Sequence, residues 1–540
     1  MSRRTPMAVR ANRRQFMGSA AGAALALAGC SPQPEVQGGF TGIRYERGHL
    51  LRDPTRWSPP SVHHRTRVLI AGGGVAGLAA ARALRLHGMQ DFALLELEDE
   101  AGGNARGGNV QGIACPLGAH YLPVPGDDAP DLQDLLQELG LRQRVAGRWQ
   151  YDERHLCHSP QERLFFRGAW QDGLLPVHGV PQTTLAQYRR FAACVDQARR
   201  TTPWRLPASS SPPHALKQQL ARMRFETYLD QQGLDDAYLR WYLDYCCRDD
   251  YGAGLSTVSA WAGIHYFASR HGFQAPGTEA PEHEGLLTWP EGNAWLTRRM
   301  AAPLGERLHT GQVVLRITQG KHGVEVDCFN TRSNAVERWQ AERVIVALPL
   351  FVAVRVLQDA PDFLRETAAR TPHAPWLVAN IHIASPLRDR PGPAPSWDNV
   401  LYGDAQTTPG LGYVDAMHQS LLPVPGATVL TYYRALGDVP GGPVQGRKQL
   451  LEQPWSTWRD AILTELSAAH PDLHAKATRM DITRYGHAMA IPVPDAQGRV
   501  GWVPPADGRI RFAHSDWAGY SVFEEAFASG HAAGLATARS

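Results

Sequence analysis

Three glycines at fixed offsets, Gly72, Gly74 and Gly77, are followed by an acid, Glu96, which lies 22 positions beyond Gly74 (96 − 74). These residue types at this spacing can hold a dinucleotide. The first glycine permits a tight turn, the second lets backbone approach a pyrophosphate, and the third lets helix and strand pack closely; the acid accepts from ribose hydroxyls. The phosphates would sit at the start of a helix, beside Val75 and Ala76, where free amides and the helix dipole favour an anion. The flanking elements have the patterns this requires. RTRVLI (65–70) reads as a buried strand, LAAARALRLHG as a helix ending at Gly88, and FALLELE from Phe92 as a second strand.

A second group of motifs decides which dinucleotide. ELEDEAGGNARGGNVQG (96–112) places Gly102-Gly103 a few residues after the acid. CPLGAHYLP (115–123), GQVVLRI (311–317), ERVIVALP (342–349) and the C-terminal GRIRFAHSDWAGYSVFEEAFASGHAAG (508–534) follow in order. Together they resemble the flavin-containing amine oxidase superfamily, the monoamine oxidase-like FAD-dependent oxidoreductases. The resemblance implies non-covalent FAD. Gly103 belongs to the phosphate loop; Asn104 stands where the family has arginine, with Arg106 two residues later. Gly118, Ala119 and His120 would line the flavin ring, and Val314 would meet the adenine. Asp516 would bind the ribityl or phosphate region, and Val522 and Phe523 would begin the helix aimed at the flavin pyrimidine. His514 and Glu525 replace two glycines of the family pattern. Attachment of flavin through a cysteine of the monoamine oxidase kind is excluded, because no cysteine follows Cys328.

The implied fold is α/β: a Rossmann-like (GR2-type) FAD-binding domain from 65–150, 285–350 and 500–540, with a discontinuous α+β substrate domain from 151–284 and 351–499. The first substrate piece reads as helical over RFETYLDQQGLDDAYLRWYLDYCCRDD and is dense in Trp and Tyr, most of them expected in the core. The second reads as strands at WLVANIHIA, GYVDAM and ATVLTYY. In such an enzyme the flavin does the chemistry and the chain binds, orients and excludes water. The family's lysine near the flavin is missing from WLVANIHIA, and the four lysines (217, 321, 448, 476) lie elsewhere. RYGHAMAIPVP (484–494) stands in place of the family's aromatic cage. Tyr485, His487 and His120 are the catalytic candidates. Three readings stay open: oxidation of an amine or polyamine, a desaturase-like reaction on an apolar substrate, and a flavin-holding protein without turnover.

The chain has 540 residues with 43% hydrophobic and 20% charged content, ordinary for a globular protein. Five arginines precede Cys30 with no acid among them, so the remainder carries 50 basic and 52 acidic residues. That balance argues against a nucleic-acid partner. ANRRQFMGSAAGAALALAGC (11–30) has a basic start, a short apolar run and a terminal cysteine, too short for a membrane span. Arg13-Arg14 resembles a twin-arginine export signal over 1–29, and Leu27–Cys30 resembles a lipobox with Cys30 as the lipidation point. The expected product is a folded, cofactor-loaded periplasmic protein, lipid-anchored with an outer-membrane preference. Its partners would be the export machinery, the membrane and a small-molecule substrate. Residues 30–64 read as a tether. The other six cysteines have no metal-ligand spacing, and folding before export favours free buried thiols.

Overall fold

The computed structural model describes residues 35–52, 57–270, 272–277, 285–404, 408–500, 503–505 and 508–540; Arg13, Arg14 and Cys30 lie outside them. Eight elements frame the site. In chain order they are β1 (Val62–Ala71), α1 (Val75–Leu86), β2 (Phe92–Glu96), α2 (Ala237–Tyr251), β3 (Ala335–Val346), β4 (His373–Ile383), β5 (Ala477–Ala490) and α3 (Phe523–Ala538).

The inner half of β1, Val68 to Ala71, is buried on both faces, as a central parallel strand requires. β1 lies between β2 and β3, parallel to each, with Ala71 beside Leu95 and Val346. Leu308–Thr310 extends the sheet beyond β2, and Val324–Asn330 and Gln312–Gln319 extend it antiparallel beyond β3. Ile510–Phe512 also pairs with β3, in parallel. The sheet therefore draws strands from both ends of the chain. α1 ends as its sequence predicts: Gly88, at φ +80°, donates its amide to Arg85.

α1 packs against α3, and the reason is glycine. A Cβ on Gly530 would stand 2.0 Å from the Ala76 carbonyl oxygen, and one on Gly534 would stand 2.5 Å from that of Ala80. Only hydrogen at these positions lets the two helices approach so closely, and this brings both their N-termini to one cavity.

The second sheet has eight strands. β4, buried along its whole length, is flanked by β5 on one side and by Thr428–Ala435 on the other. Tyr413–Asp415, Asp398–Leu401, Glu162–Phe166 and Ala169–Asp172 continue it. α2 lies in the helical layer; its N-cap Asp236 accepts from Tyr238 N and Leu239 N at 3.0 Å each, and it ends at Gly252 with φ +72°. The strands expected at 376–384, 412–417 and 427–433 are present, and Tyr251 and Trp261 are core residues.

One expectation is corrected. Residues 30–64 read as a tether, but Gln37–Thr41 is a strand on the edge of the second sheet, parallel to β5. Tyr45–His49 is a short helix, and Arg47 donates to the Leu97 carbonyl and to Asp99, each at 2.8 Å. Glycine and proline made this stretch look unstructured; pairing with a strand more than 400 residues away orders it. The six cysteines among the described residues are free, and Cys246 and Cys247 are core. No helix among the described residues is long and apolar enough to cross a membrane.

Candidate functional site

An elongated cavity of about 460 Å³ runs between the two sheets. Gly72, Gly74, Val75, Ala76, Glu96, Gly103, Asn104, Gly118, Ala119, His120, Val314, Asp516, Val522 and Phe523 all line it. Gly77 and Arg106 do not.

Gly72 adopts φ +105°, and a Cβ there would collide with the Ala347 carbonyl oxygen at 2.3 Å. Gly77 is a packing residue: its Cβ would stand 1.9 Å from the Gly72 oxygen. Gly74 and Gly103 face each other across the cradle, where a Cβ on Gly103 would be 3.2 Å from the Gly74 Cα. The buried Glu96 is fixed by the amides of Gly73 and Glu98, at 2.8 Å each. Burial raises its carboxyl despite those bonds and the Arg106 charge nearby.

Arg106 is corrected as a phosphate partner. Its guanidinium donates to the carbonyls of Gly103 (3.1 Å) and Gly42 (3.0 Å) and lies 3.6 Å from Glu98. It clamps the glycine loop to the N-terminal segment. Asn104 keeps its cavity position while donating Nδ2 to the Ala488 carbonyl at 2.6 Å.

At α1 the first intrahelical bond runs from Leu78 to Gly74, and at α3 from Ala526 to Val522. The first-turn amides of both helices thus have no partner within the helix and face the same cavity. A glycine-floored cradle, two helix N-termini and a buried acid fit an elongated dinucleotide.

Asp516 is more engaged than the resemblance implied. Its Oδ2 accepts from Leu350 N (3.0 Å) and His373 Nε2 (2.9 Å), and its Oδ1 lies 3.2 Å from His514 Nδ1. Burial works against its ionisation, but the charges of His514 and His373 and their hydrogen bonds hold the carboxyl well below the usual range. His514 also lines the cavity. Its Nδ1 is turned to Asp516, while its Nε2 has no hydrogen bond among the described residues. Glu525, in the other altered glycine position, ties α3 to the Ala208 amide and the Tyr520 hydroxyl (2.6 Å).

The three catalytic candidates are divided. His120 stacks on Tyr433 (4.5 Å, 28°) and lies 5.4 Å from Trp397, which meets Tyr121 edge-on at 5.8 Å. Burial lowers its imidazole to about 3, leaving a neutral ring. Tyr485 lines the cavity too, but its hydroxyl donates to the Leu117 carbonyl at 2.9 Å. His487 stands beside His373 (6.1 Å between rings), stacked on Phe351 at 4.3 Å. Burial and the positive charges of Arg447, His373, Arg355 and Arg52 lower it to about 3.

Sequence reasoning missed the acids around the aromatic wall. Asp249 and Asp250, on α2, and Glu524, on α3, line the cavity. Arg270 is the cation among them, and it is bound to both oxygens of Asp250 at 3.2 Å. Burial, with the Asp250 charge adding to it, pushes Asp249 up to about 7; burial does the same to Glu524. Behind Asp249, Asp398 and Glu162 are direct register partners on adjacent parallel strands. Burial and the charges of Asp249 and Glu162 push Asp398 well above its ordinary value. Glu162 stays exposed to solvent. Like charges this close repel unless a proton or another cation intervenes. The signal in the sequence was Asp249-Asp250 at the end of an aromatic helix; nothing local linked it to Asp398.

Comparison with known proteins gives a consistent picture. The family described as flavin containing amine oxidoreductase matches residues 75–534. Mitochondrial protoporphyrinogen oxidase of Nicotiana tabacum is 31% identical over 93 residues, 17% of this chain and 18% of that protein. The match thus spans under a fifth of that relative's length. Among solved structures, putrescine oxidase bound to putrescine superposes with a TM-score of 0.63 at 18% identity, covering 87% of this chain and 98% of that one. Cyclohexylamine oxidase from Brevibacterium oxydans IH-35A gives 0.62 at 19% identity, covering 88% and 99%. At these identities the structures share the fold.

Proposed function

This chain belongs to the flavin-containing amine oxidoreductase family, and from that premise we propose that it oxidises an amine whose ammonium is received by the carboxylates around Asp249. The carrying observation is the acidic lining: Asp249, Asp250 and Glu524 reach the cavity, Arg270 is occupied by Asp250, and Asp398 stands beside Glu162 behind them. A cationic substrate relieves their mutual repulsion, and an apolar one does not.

FAD, when bound, supplies the acceptor for the hydrogen and two electrons that leave the carbon next to the amine nitrogen. Gly72 to Ala76, Gly103, Asn104 and the start of α3 would hold it without a covalent bond. The chain's own part is to prepare the amine. An ammonium has no lone pair to support oxidation, so it must first lose a proton. Asp249, with its carboxyl near 7, is matched to accept that proton at neutral pH. The wall of His120, Tyr121 and Tyr433, with Trp397 packed against the first two, excludes water and offers aromatic faces to a cation. Neutral His120 adds no repelling charge.

The same reading places the protein in the periplasm, exported folded through Arg13-Arg14 and anchored by lipid on Cys30. The support is the sequence pattern of residues 11–30. Amines related to those bound by the structural neighbours are reasonable first donors, putrescine and cyclohexylamine among them.

The test is anaerobic mixing of the flavin-loaded protein with a panel of mono- and diamines. Bleaching of the flavin by amines, with peroxide released on admitting oxygen, is the expected result. Bleaching by lipophilic donors alone would favour the desaturase-like reading. Flavin that no donor reduces would favour a protein without turnover.

A further inference from the structure

We propose that the hairpin tip Leu421–Pro425 is a second membrane contact, seating one end of the eight-stranded sheet on an anionic lipid surface. Five consecutive apolar residues, Leu-Leu-Pro-Val-Pro, are exposed there, Leu421 by 90%, Leu422 by 63% and Val424 by 72%. Large apolar side chains in one contiguous exposed patch mark a surface meant to be covered.

Strand register says what lies beside it. Gln37 pairs with Arg479, Arg479 with His382, and His382 with Val429. Three inter-strand steps separate Gln37 from Val429, about 14 Å in all. Gln37–Thr41, β5 and Thr428–Ala435 run in the same direction, because β4 is antiparallel to its two neighbours and Gln37–Thr41 is parallel to β5. The chain therefore enters all three strands from one end of the sheet. The hairpin between Asp415 and Thr428 turns at that end, and the segment preceding Gln37 arrives there. Cys30 precedes Glu35 by five residues, a reach of at most about 18 Å in extended chain. For the position of the bilayer the argument rests on the lipid-anchor reading above: an acyl chain on Cys30 and the hairpin tip would meet one plane.

This end of the sheet carries both signs of charge, with Glu162 and Asp172 exposed on its outer two strands, and its two unpaired arginines are what can meet anionic headgroups. β4 runs out here into Arg388 and Arg390, both exposed and without an ion pair among the described residues. Nearby Asp472 is neutralised by Lys476 at 2.8 Å, and Asp389 by Arg163 at 2.5 Å. The arginines repel those of a second copy, while an interface of acyl chains and anionic headgroups suits both them and the apolar tip. One acyl chain gives only marginal, reversible membrane binding, and a second signal makes it stable. The hairpin is also braced against the amine chamber: Asp415 N donates to the Trp397 carbonyl (3.0 Å) and Gln419 Nε2 to that of Leu156 (3.0 Å). Docking would fix the chamber's orientation to the membrane.

The test uses the full chain with Cys30→Ser, so that no acyl chain contributes, and sediments it with vesicles of phosphatidylcholine containing phosphatidylglycerol. Salt-sensitive binding is expected, with Leu421→Asp plus Val424→Asp lowering the partition coefficient by about tenfold or more, and Arg388→Gln plus Arg390→Gln weakening the salt dependence. Flavin content and near-UV circular dichroism report that the variants remain folded. Equal sedimentation of parent and Asp variant overturns the proposal. So does a parent that ignores vesicles but self-associates through the tip, seen as a dimer that the Asp variant converts to monomer. The anchor is checked separately, by the mass of the protein with Cys30 intact. An unacylated cysteine would sink the anchor reading and leave the vesicle result to stand for the tip.

Discussion

Asp249→Asn tests the amine reading in two directions at once. The substitution keeps the shape of the side chain and removes its charge. An ammonium about 4 Å from that carboxylate, at an effective dielectric near 20, gains roughly 4 kcal/mol. Loss of one partner from a buried charged pair typically costs about 2–5 kcal/mol, much of it from the charge left alone. Taking about 3–4 kcal/mol, kcat/KM for amines should fall by roughly 10² to 10³. Stability should move the other way. The Asp249 carboxyl titrates near 7 in the folded protein, against about 4 in an unfolded chain. Between those values the unfolded chain has released the proton and the folded one retains it. The unfolded state then binds fewer protons, so this group makes stability fall as pH rises through the window. Asp249→Asn removes that contribution. The variant should melt with the parent near pH 4 and above it at pH 8. The assays are anaerobic flavin reduction with an amine series and thermal melts across pH. A variant that keeps its amine kcat/KM within about threefold, or that melts in parallel with the parent at every pH, would refute the argument that Asp249 is a half-buried charge waiting for a cation.

Three further outcomes follow, two from the geometry and one from the sequence. His514→Gly restores the family residue and removes an imidazole whose Nε2 has no described protein partner; FAD should be lost about 10- to 100-fold more readily, the worth of one charge-assisted hydrogen bond, read by flavin fluorescence on dilution. Gly530→Leu forces a side chain into the Ala76 backbone; it should destabilise the protein by about 1–3 kcal/mol or more, lower the melting temperature and release flavin, because α1 and α3 share the cradle. Replacing Arg13 and Arg14 by lysine should hold the precursor in the cytoplasm, seen by cell fractionation, whereas normal export of that variant would end the twin-arginine reading.

The nucleotide half was legible because its determinants are local. A strand, three glycines and a helix must be adjacent in sequence to make a phosphate turn, and the structure needs glycine at 72 and 77 for the contacts a Cβ would destroy. The start of α3 at Phe523 was legible through the family pattern that the C-terminal motif resembles. Arg106 misled because its type suited phosphate, while its partners, Gly42 and Glu98, depended on how the N-terminal segment folds. Residues 37–49 misled likewise: a strand of Gln, Gly, Gly, Phe and Thr has little intrinsic preference and exists because an edge of β5 was free to pair.

What residue order alone determined here is the dinucleotide turn, the helix caps and the alternation of strands and helices, since each depends on neighbours within a few positions. Tertiary structure alone decided the rest. It set Asp398 beside Glu162 and both behind Asp249, turned His514 and His373 onto Asp516, and stacked His120 on Tyr433. Those groups are far apart in the chain, and their charges and exposures are properties of the enclosure that folding builds around them.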